Sequence, residues 1–321
     1  MKILAILGAH HPDAMALLEG RDDIEVRVVE EAHPSEDRIL GAITGAHGIA
    51  VRSARLDGQH LAHAPNLAVV SRHGVGCDSI DVPYLSDRGL PMAIAVGGND
   101  RSVAEHTLAM ILMMARDRTA QTDALRAKDW TVRERHRAFD IAEKTLLVVG
   151  YGRIGRRVAA LAGAFGMRIL ANDPYVSDFV PGVDVAGSLA EGLDQADIVT
   201  VHTPLNAETR GLINAEGLQR LRPGALVINN ARGGIVDEPA MAAALTSGHI
   251  AGYGTDVFSI EPVQTDNPIL SAPNTVMTPH AAAMTPEGMR SMGMLCIQNV
   301  LDAFDGRLSP EMMFNRKELG L

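Results

Sequence analysis

Three residues of chemically useful type follow apolar, strand-like runs in the second half of this 321-residue chain. Arg232 comes after Ala225 to Ala231, Glu261 after the run leading to Asp256, Val257 and Phe258, and His280 after Val276 to Pro279. In open parallel sheets ligands bind beyond the carboxyl ends of the strands, so residues in these places are the first to weigh. An arginine there offers a planar fork that grips a carboxylate bidentately and keeps its charge. A histidine titrates near neutrality, so it can give a proton in one direction and take it back in the other. A glutamate beside it favours the imidazolium and fixes the ring. Reduction of a 2-keto acid needs this set: a cation for the carboxylate and carbonyl, and an acid that delivers a proton as a hydride arrives. Singly, each residue has a plainer reading as packing, surface or turn; their shared placement at strand ends points to chemistry.

The source of the hydride is suggested by Gly150, Gly152 and Gly155, a G-x-G-x-x-G enclosing Arg153 and Ile154, set between the apolar run Leu146 to Val149 and a helical pattern. The first glycine permits a tight turn, the second lets backbone approach a pyrophosphate, and the third lets helix and strand pack closely. The pyrophosphate would rest on the free N–H groups at the helix start. The next apolar run ends at Asp173, about twenty residues on, where a carboxylate accepts both ribose hydroxyls. That carboxylate repels a 2′-phosphate, and Pro174 to Ser177 holds no arginine to bind one. The cofactor expected is NAD.

These residues need a frame. From residue 1 to about 98, short apolar runs (Ile3 to Gly8, Ile24 to Val29, Gly48 to Val51, Leu67 to Ser71, Met92 to Ala95) alternate with helix-compatible stretches. Such alternation predicts a parallel sheet wrapped by helices. Asn99 to Arg118, with Asn99, Asp100 and Ser102 as candidate caps, reads as a long helix linking two domains. A second series runs through Leu146 to Val149, Ile169 to Ala171, Ile198 to Val201, Ala225 to Ile228, Ile250 to Gly254 and Val276 to Thr278. From the cap Thr285 and Pro286 to about Phe304 lies another long helix, expected to return to the first domain. The fold class is therefore α/β with two doubly wound parallel sheets. A Rossmann-type NAD-binding domain spans 99–283, and a discontinuous substrate domain spans 1–98 and 284–321.

Bulk properties agree. The length suits two domains, and 46% hydrophobic with 21% charged residues is the balance of a globular chain. A net charge of -10 repels phosphate backbones and anionic lipid, so neither nucleic acid nor membrane is an expected partner. No apolar stretch approaches the ~20 residues of a membrane span. Two cysteines, Cys77 and Cys296, suit a reducing, cytoplasmic setting.

Several local patterns resemble the D-isomer-specific 2-hydroxyacid dehydrogenases: Val201 to Leu205 (V-H-T-P-L), Asn230 to Asp237 (N-A-R-G-G-I-V-D), Thr255 to Phe258 with Glu261-Pro262, and Thr278-Pro279-His280. In the first domain Arg72 to Gly76 with Asp78, then Asn99 and Ser102 to His106, look like that family's substrate loop and linking helix. The resemblance covers essentially the whole chain. It implies that Arg232 anchors substrate, that Glu261 and His280 handle the proton, and that Asp256 orients the nicotinamide carboxamide. It implies cofactor contacts from Arg153, Ile154, Asp173, His202, Thr203, Pro204, Asn230, Ala231, Arg232, His280 and Ala282. Amides around Val75 and Gly76 would complete the carboxylate cradle, and the first domain would be flavodoxin-like. Two departures, Ala281 to Met284 where many members have Ile-Gly-Ala-Ser, and Glu143-Lys144 where Gly-Lys is usual, leave the chemistry intact but loosen any transfer of substrate identity.

The closest likeness is to phosphoglycerate dehydrogenase-like and hydroxypyruvate reductase-like members, although the chain ends at Leu321 without room for an appended regulatory domain. Arg52 and Arg72 end two strands of the first domain, and either they face the substrate and take a second anionic group or they pair with local carboxylates. Arg133, Arg135, His136 and Arg137 near Trp130 form either a solvated helix face or a reach into a partner's cleft. The pairs His10, His11 and His60, His63 lack the cysteines and carboxylates of a metal site, so no metal is expected. A homodimer is expected from the apolar helix beginning near Arg101. An alternative to the enzyme is a non-catalytic NAD(H) sensor on the same scaffold; the intact Arg232, Glu261 and His280 set argues against it.

Overall fold

Each apolar run read above as a strand overlaps a parallel strand of the structure, a computed structural model that describes residues 1–31, 34–135 and 138–321. The chain divides into two units, Met1–Asn99 with Met284–Leu321, and Asp100–Ala283.

In the first unit, β1 (Lys2–Leu7), α1 (Pro12–Ala16), β2 (Ile24–Val29), α2 (Glu36–Ile43), β3 (Gly48–Val51), α3 (Gly58–Ala62), β4 (Val69–Arg72), α4 (Val82–Ser86) and β5 (Met92–Ile94) alternate along the chain. The five strands lie in the order β2-β1-β3-β4-β5, all parallel, as in flavodoxin-like sheets. One face packs Leu7, Ile49, Val51 and Val70 against Ile39, Ile43 and Leu61 of the covering helices.

The second unit runs α5 (Asp100–Ala115), α6 (Arg118–Arg126), β6 (Thr145–Val149), α7 (Arg153–Ala164), β7 (Arg168–Asn172), β8 (Val183–Val185), α8 (Leu189–Gln195), β9 (Ile198–Val201), α9 (Ala215–Arg220), β10 (Ala225–Asn229), α10 (Glu238–Thr246), β11 (Ile250–Thr255) and β12 (Thr275–Met277). Its seven strands are ordered β12-β11-β10-β9-β6-β7-β8. The order reverses between β6 and β9, which is where a doubly wound sheet opens a crevice for ligand. Every residue of β6, β9 and β10 is buried, which explains their unbroken apolar character: helices cover both faces.

The final helix, α11 (Pro286–Phe304), belongs to the first unit. Thr285 caps it by accepting the Gly288 amide, with Pro286 at its first position. Its Cys296, Ile297, Val300 and Phe304 seal the other face of the five-stranded sheet against Leu4, Ile6, Ala50 and Val69.

Two expectations are corrected. The helix expected to reach Arg118 stops at Ala115, because Asp117 turns left-handed (φ 49°) and starts the separate α6. The edge strand β8 was not expected; with three residues, two of them exposed, it carries no apolar run. Of the basic stretch, Arg133 pairs with Glu134 at 3.1 Å and Arg135 with Asp129 at 2.5 Å; His136 and Arg137 lie outside the described residues. Among the described residues no helix is long and apolar enough to cross a membrane.

Candidate active site

The glycine-rich turn leaves β6 at Gly150, which has φ 91° and sits so close to the end of β9 that a Cβ would lie 2.8 Å from the His202 carbonyl. A side chain at Gly155 would collide with the Gly150 carbonyl, so helix and turn pack backbone to backbone. Gly152 differs: a Cβ there meets nothing within 4 Å, and as N-cap of α7 it leaves the helix start without a side-chain cap. Open space above uncapped amides is what a phosphate needs. Asp173, just after β7, is held at this turn: one carboxylate oxygen accepts the Tyr151 amide at 2.8 Å and the other the Tyr175 amide at 2.9 Å.

Beyond β9, the His202 ring meets the Thr200 hydroxyl at 2.9 Å, and burial pushes its pKa down to about 3. Next to it Thr203 Oγ1 is buried with no hydrogen-bond partner, and so is Asn230 Oδ1 beyond β10, although the Asn230 amide nitrogen donates to Thr107 at 2.9 Å. Buried polar atoms are normally satisfied, so two orphans along one sheet edge fit a polar ligand. The uncapped α7 start, Asp173 and these two atoms suit the pyrophosphate, ribose and amide groups of NAD.

The catalytic candidates come from three successive loops. Asn229, the last residue of β10, shapes the first: its side chain accepts the Ala231 amide at 3.1 Å and donates to the Arg232 carbonyl at 2.8 Å. Gly233 then lies against the backbone of Phe258 and Ser259 with no room for a Cβ, which draws the Arg232 loop onto the Glu261 loop. Glu261 accepts the Phe258 amide at 3.0 Å and meets His280 Nδ1 at 2.6 Å. Burial acts to raise the Glu261 pKa but is outweighed by the His280 hydrogen bond, the Phe258 amide and the charges of His280 and Arg232, so the carboxyl stays below the ordinary glutamate value. The site thus assembles Arg232, Glu261 and His280 within the second unit.

His280 has φ 53°, a left-handed conformation uncommon outside glycine. Asp256 holds it there. The Asp256 carbonyl accepts the His280 amide at 2.7 Å, while its carboxylate accepts the amides of Ala281 and Ala282 at 2.7 and 2.8 Å and the Thr278 hydroxyl at 2.5 Å. Thr278 in turn meets His106 Nε2 at 3.0 Å. Asp256, 1% exposed, therefore braces the histidine loop as well as lying on the edge assigned to the cofactor. Glu238 is a positioning residue that sequence reasoning missed: it accepts the Ser259 amide and the Asn267 side chain, each at 2.7 Å, and so fixes the Glu261 loop. Its only mark in the sequence is that of an acidic residue in a helix's first turn.

In the first unit, Arg72 Nε donates to the Gly76 carbonyl at 3.0 Å and Nη1 to the Val51 carbonyl at 3.3 Å, closing the loop that carries Val75. Gly74, at φ 139°, makes that loop possible. Arg52, at the end of β3, donates to the Ala9 carbonyl at 3.3 Å and approaches the Met284 sulfur at 3.7 Å; neither is a carboxylate. The structure thus gathers Arg52, Arg72, Val75 and Gly76 along one carboxyl edge of the five-stranded sheet.

A doubly wound parallel sheet with a glycine-rich turn, an acid just after the following strand, and an arginine, glutamate and histidine at strand ends is the arrangement of nicotinamide-dependent oxidoreductase folds. Residues 108–282 match the family model for the D-isomer specific 2-hydroxyacid dehydrogenase, NAD binding domain, and the chain belongs to this family. It is 40% identical over 294 residues to D-3-phosphoglycerate dehydrogenase of Mycobacterium bovis, covering 90% of this chain and 55% of that one. It is 38% identical over 278 residues to (S)-sulfolactate dehydrogenase of Chromohalobacter salexigens, covering 84% and 88%. The D-lactate dehydrogenase of Aquifex aeolicus, solved with NAD and lactic acid, superposes with a TM-score of 0.85 at 28% identity, covering 96% of each chain. The chain spans about half the length of the phosphoglycerate dehydrogenases it matches.

Proposed function

We propose that the chain is an NAD-dependent 2-hydroxyacid dehydrogenase that interconverts a small 2-hydroxy acid and its 2-keto acid. The observation that carries this is the 2.6 Å contact between His280 Nδ1 and Glu261 beside the Arg232 loop. With Nδ1 engaged, Nε2 is the nitrogen left to exchange a proton with substrate. Arg232 holds the substrate carboxylate and polarises the carbonyl. In reduction the carbonyl carbon accepts a hydride, and its oxygen takes the proton from His280 Nε2; oxidation reverses both transfers. Bound NADH supplies the hydride. Gly150, Gly152, Arg153, Ile154, Gly155 and Asp173 would hold its adenosine and pyrophosphate. Thr203, Asn230, Ala231, Asp256 and Ala282 would hold the rest.

Arg52 and Arg72 are the proposed ligands of a second anionic group on the substrate. The relatives named for phosphoglycerate and sulfolactate act on acids with such a group, and the Arg52 guanidinium rests on the Ala9 carbonyl and the Met284 sulfur, neither of which carries a charge. Incubating the protein with NADH and hydroxypyruvate, glyoxylate, phosphohydroxypyruvate or sulfopyruvate tests the proposal. Oxidation of NADH with at least one is expected, and fastest with an acid bearing the second anion; no oxidation with any contradicts it. A sensor would have no use for the complete Arg232, Glu261 and His280 set.

The enzyme is further proposed to be a cytoplasmic homodimer. Cys77 and Cys296, both buried and neither in a disulfide, suit the compartment. Most apolar residues of α5 are used inside their own unit, which leaves chiefly Met113, 40% exposed, for a partner. The support is a groove of about 540 Å³ in the second unit, where Met113, Met114 and Phe139 lie beside the charged Asp117, Arg118 and Asp123, a mixed surface of the kind a second copy covers. Sedimentation at micromolar concentration should give twice the 34.2 kDa chain mass; a monomer contradicts this part.

A further inference from the structure

We infer that Asp100 is a positioning residue for cofactor binding, one that pre-orders the arginine of the glycine-rich turn. This rests on the proposed role of Arg153 at the pyrophosphate. Asp100 is the first residue of α5 and Arg153 the first of α7. Arg153 Nε donates to Asp100 Oδ2 at 2.8 Å. The two partners are unequally placed: the Asp100 side chain is 4% exposed, whereas that of Arg153 is 63% exposed.

A carboxylate this deeply buried needs compensation. Two sources are present, the positive end of α5 and the guanidinium. The contact uses Nε, so the edge of the fork formed by Nη1 and Nη2 is left for oxygens of a diphosphate. An exposed arginine normally spans many rotamers, and freezing them on binding weakens affinity about 3- to 10-fold. A partner fixed in the core removes that loss before the ligand arrives. Because the Asp100 charge sits at the start of a 16-residue helix, the helix end offsets much of its repulsion toward the pyrophosphate. Its sequence signal is only that of a candidate cap; the functional role comes from the pairing with a residue 53 positions away.

The test is a double-mutant cycle on NADH binding, read by fluorescence titration of Asp100→Ala, Arg153→Met and the double variant, with thermal melts to establish that each is folded. Asp100→Ala is expected to raise the NADH dissociation constant about 3- to 10-fold, and that for ADP-ribose, which carries the same pyrophosphate, by a similar factor. In the Arg153→Met background the same substitution is expected to change either constant by less than about 2-fold. Should Asp100→Ala prove unstable, Asp100→Asn keeps the shape and is expected to show a smaller loss that likewise vanishes with Arg153→Met. Equal effects in both backgrounds, or no effect in either while Arg153→Met weakens NADH, would show that Asp100 merely ties two helices and overturn the inference. Unchanged NADH binding by Arg153→Met itself would instead refute the cofactor role of Arg153 on which the inference stands.

Discussion

Two adjacent glycines, Gly233 and Gly234, should respond very unequally to the same substitution, and the difference measures how tightly the Arg232 loop is registered on the Glu261 loop. At Gly233 a methyl group would fall within the backbone of Phe258 and Ser259, well inside the 3.4 Å at which ordinary contact begins. Backbone cannot rotate out of the way as a side chain can, so one loop must move by more than about 1 Å. A displacement of that size between catalytic groups costs about 10²-fold in rate, and the overpacking costs about 1 to 3 kcal/mol of stability. At Gly234 the nearest atoms are the Arg210 guanidinium at 3.3 Å and the Leu205 methyls at 3.5 Å, both flexible ends that can yield. The assay is kcat/KM for the best keto acid, with NADH titration and melting temperature alongside. Gly233→Ala is expected to lose about 10²-fold in kcat/KM while NADH affinity falls much less, and Gly234→Ala to stay within about 3-fold of wild type. If Gly233→Ala matched Gly234→Ala, the account of how Arg232 reaches Glu261 would be wrong.

Two further outcomes follow from single residues. His73 is 5% exposed, and burial, with the neighbouring His10 and the charges of Arg52 and Arg72, pushes its pKa down to about 3. Its unfolded value is near 6.5, so below that pH the unfolded chain binds the extra proton; stability is lost as pH falls from about 6.5 toward 3, by about 2 kcal/mol at pH 5. Urea unfolding at pH 7.5 and pH 5 should show a wild-type difference that shrinks by about this amount in His73→Asn, and equal differences would contradict it. Separately, Asp173→Ala should weaken NADH about 10- to 100-fold and narrow its preference over NADPH; titrations that leave both unchanged would remove Asp173 from the ribose site.

What could be read from the sequence follows from burial. Strands such as β6 and β10, covered on both faces, must be apolar throughout, so Leu146 to Val149 and Ala225 to Ile228 announce themselves. At the exposed edge, β8 is under no such constraint and left no trace. Gly150 and Gly155 were legible because a turn and a close approach each admit little else. The sequence could not separate Gly233 from Gly234, since only the partner backbone at Phe258 distinguishes them. Nor could it show that Glu238 and Asp256 brace the loops bearing Glu261 and His280, because those contacts join residues 21 to 26 positions apart whose spacing follows no local rule. Asp100 looked like a cap for the same reason.

The central claim is that His280 exchanges the substrate proton while held by Glu261, and the most direct measurement is keto-acid-dependent NADH oxidation by wild type and His280→Gln in parallel. The rate should fall by about 10²- to 10⁴-fold in the variant, with the NADH dissociation constant within about 3-fold of wild type. A variant that turned over at the wild-type rate, or one whose lost rate was matched by lost NADH affinity, would contradict the proton role assigned to His280.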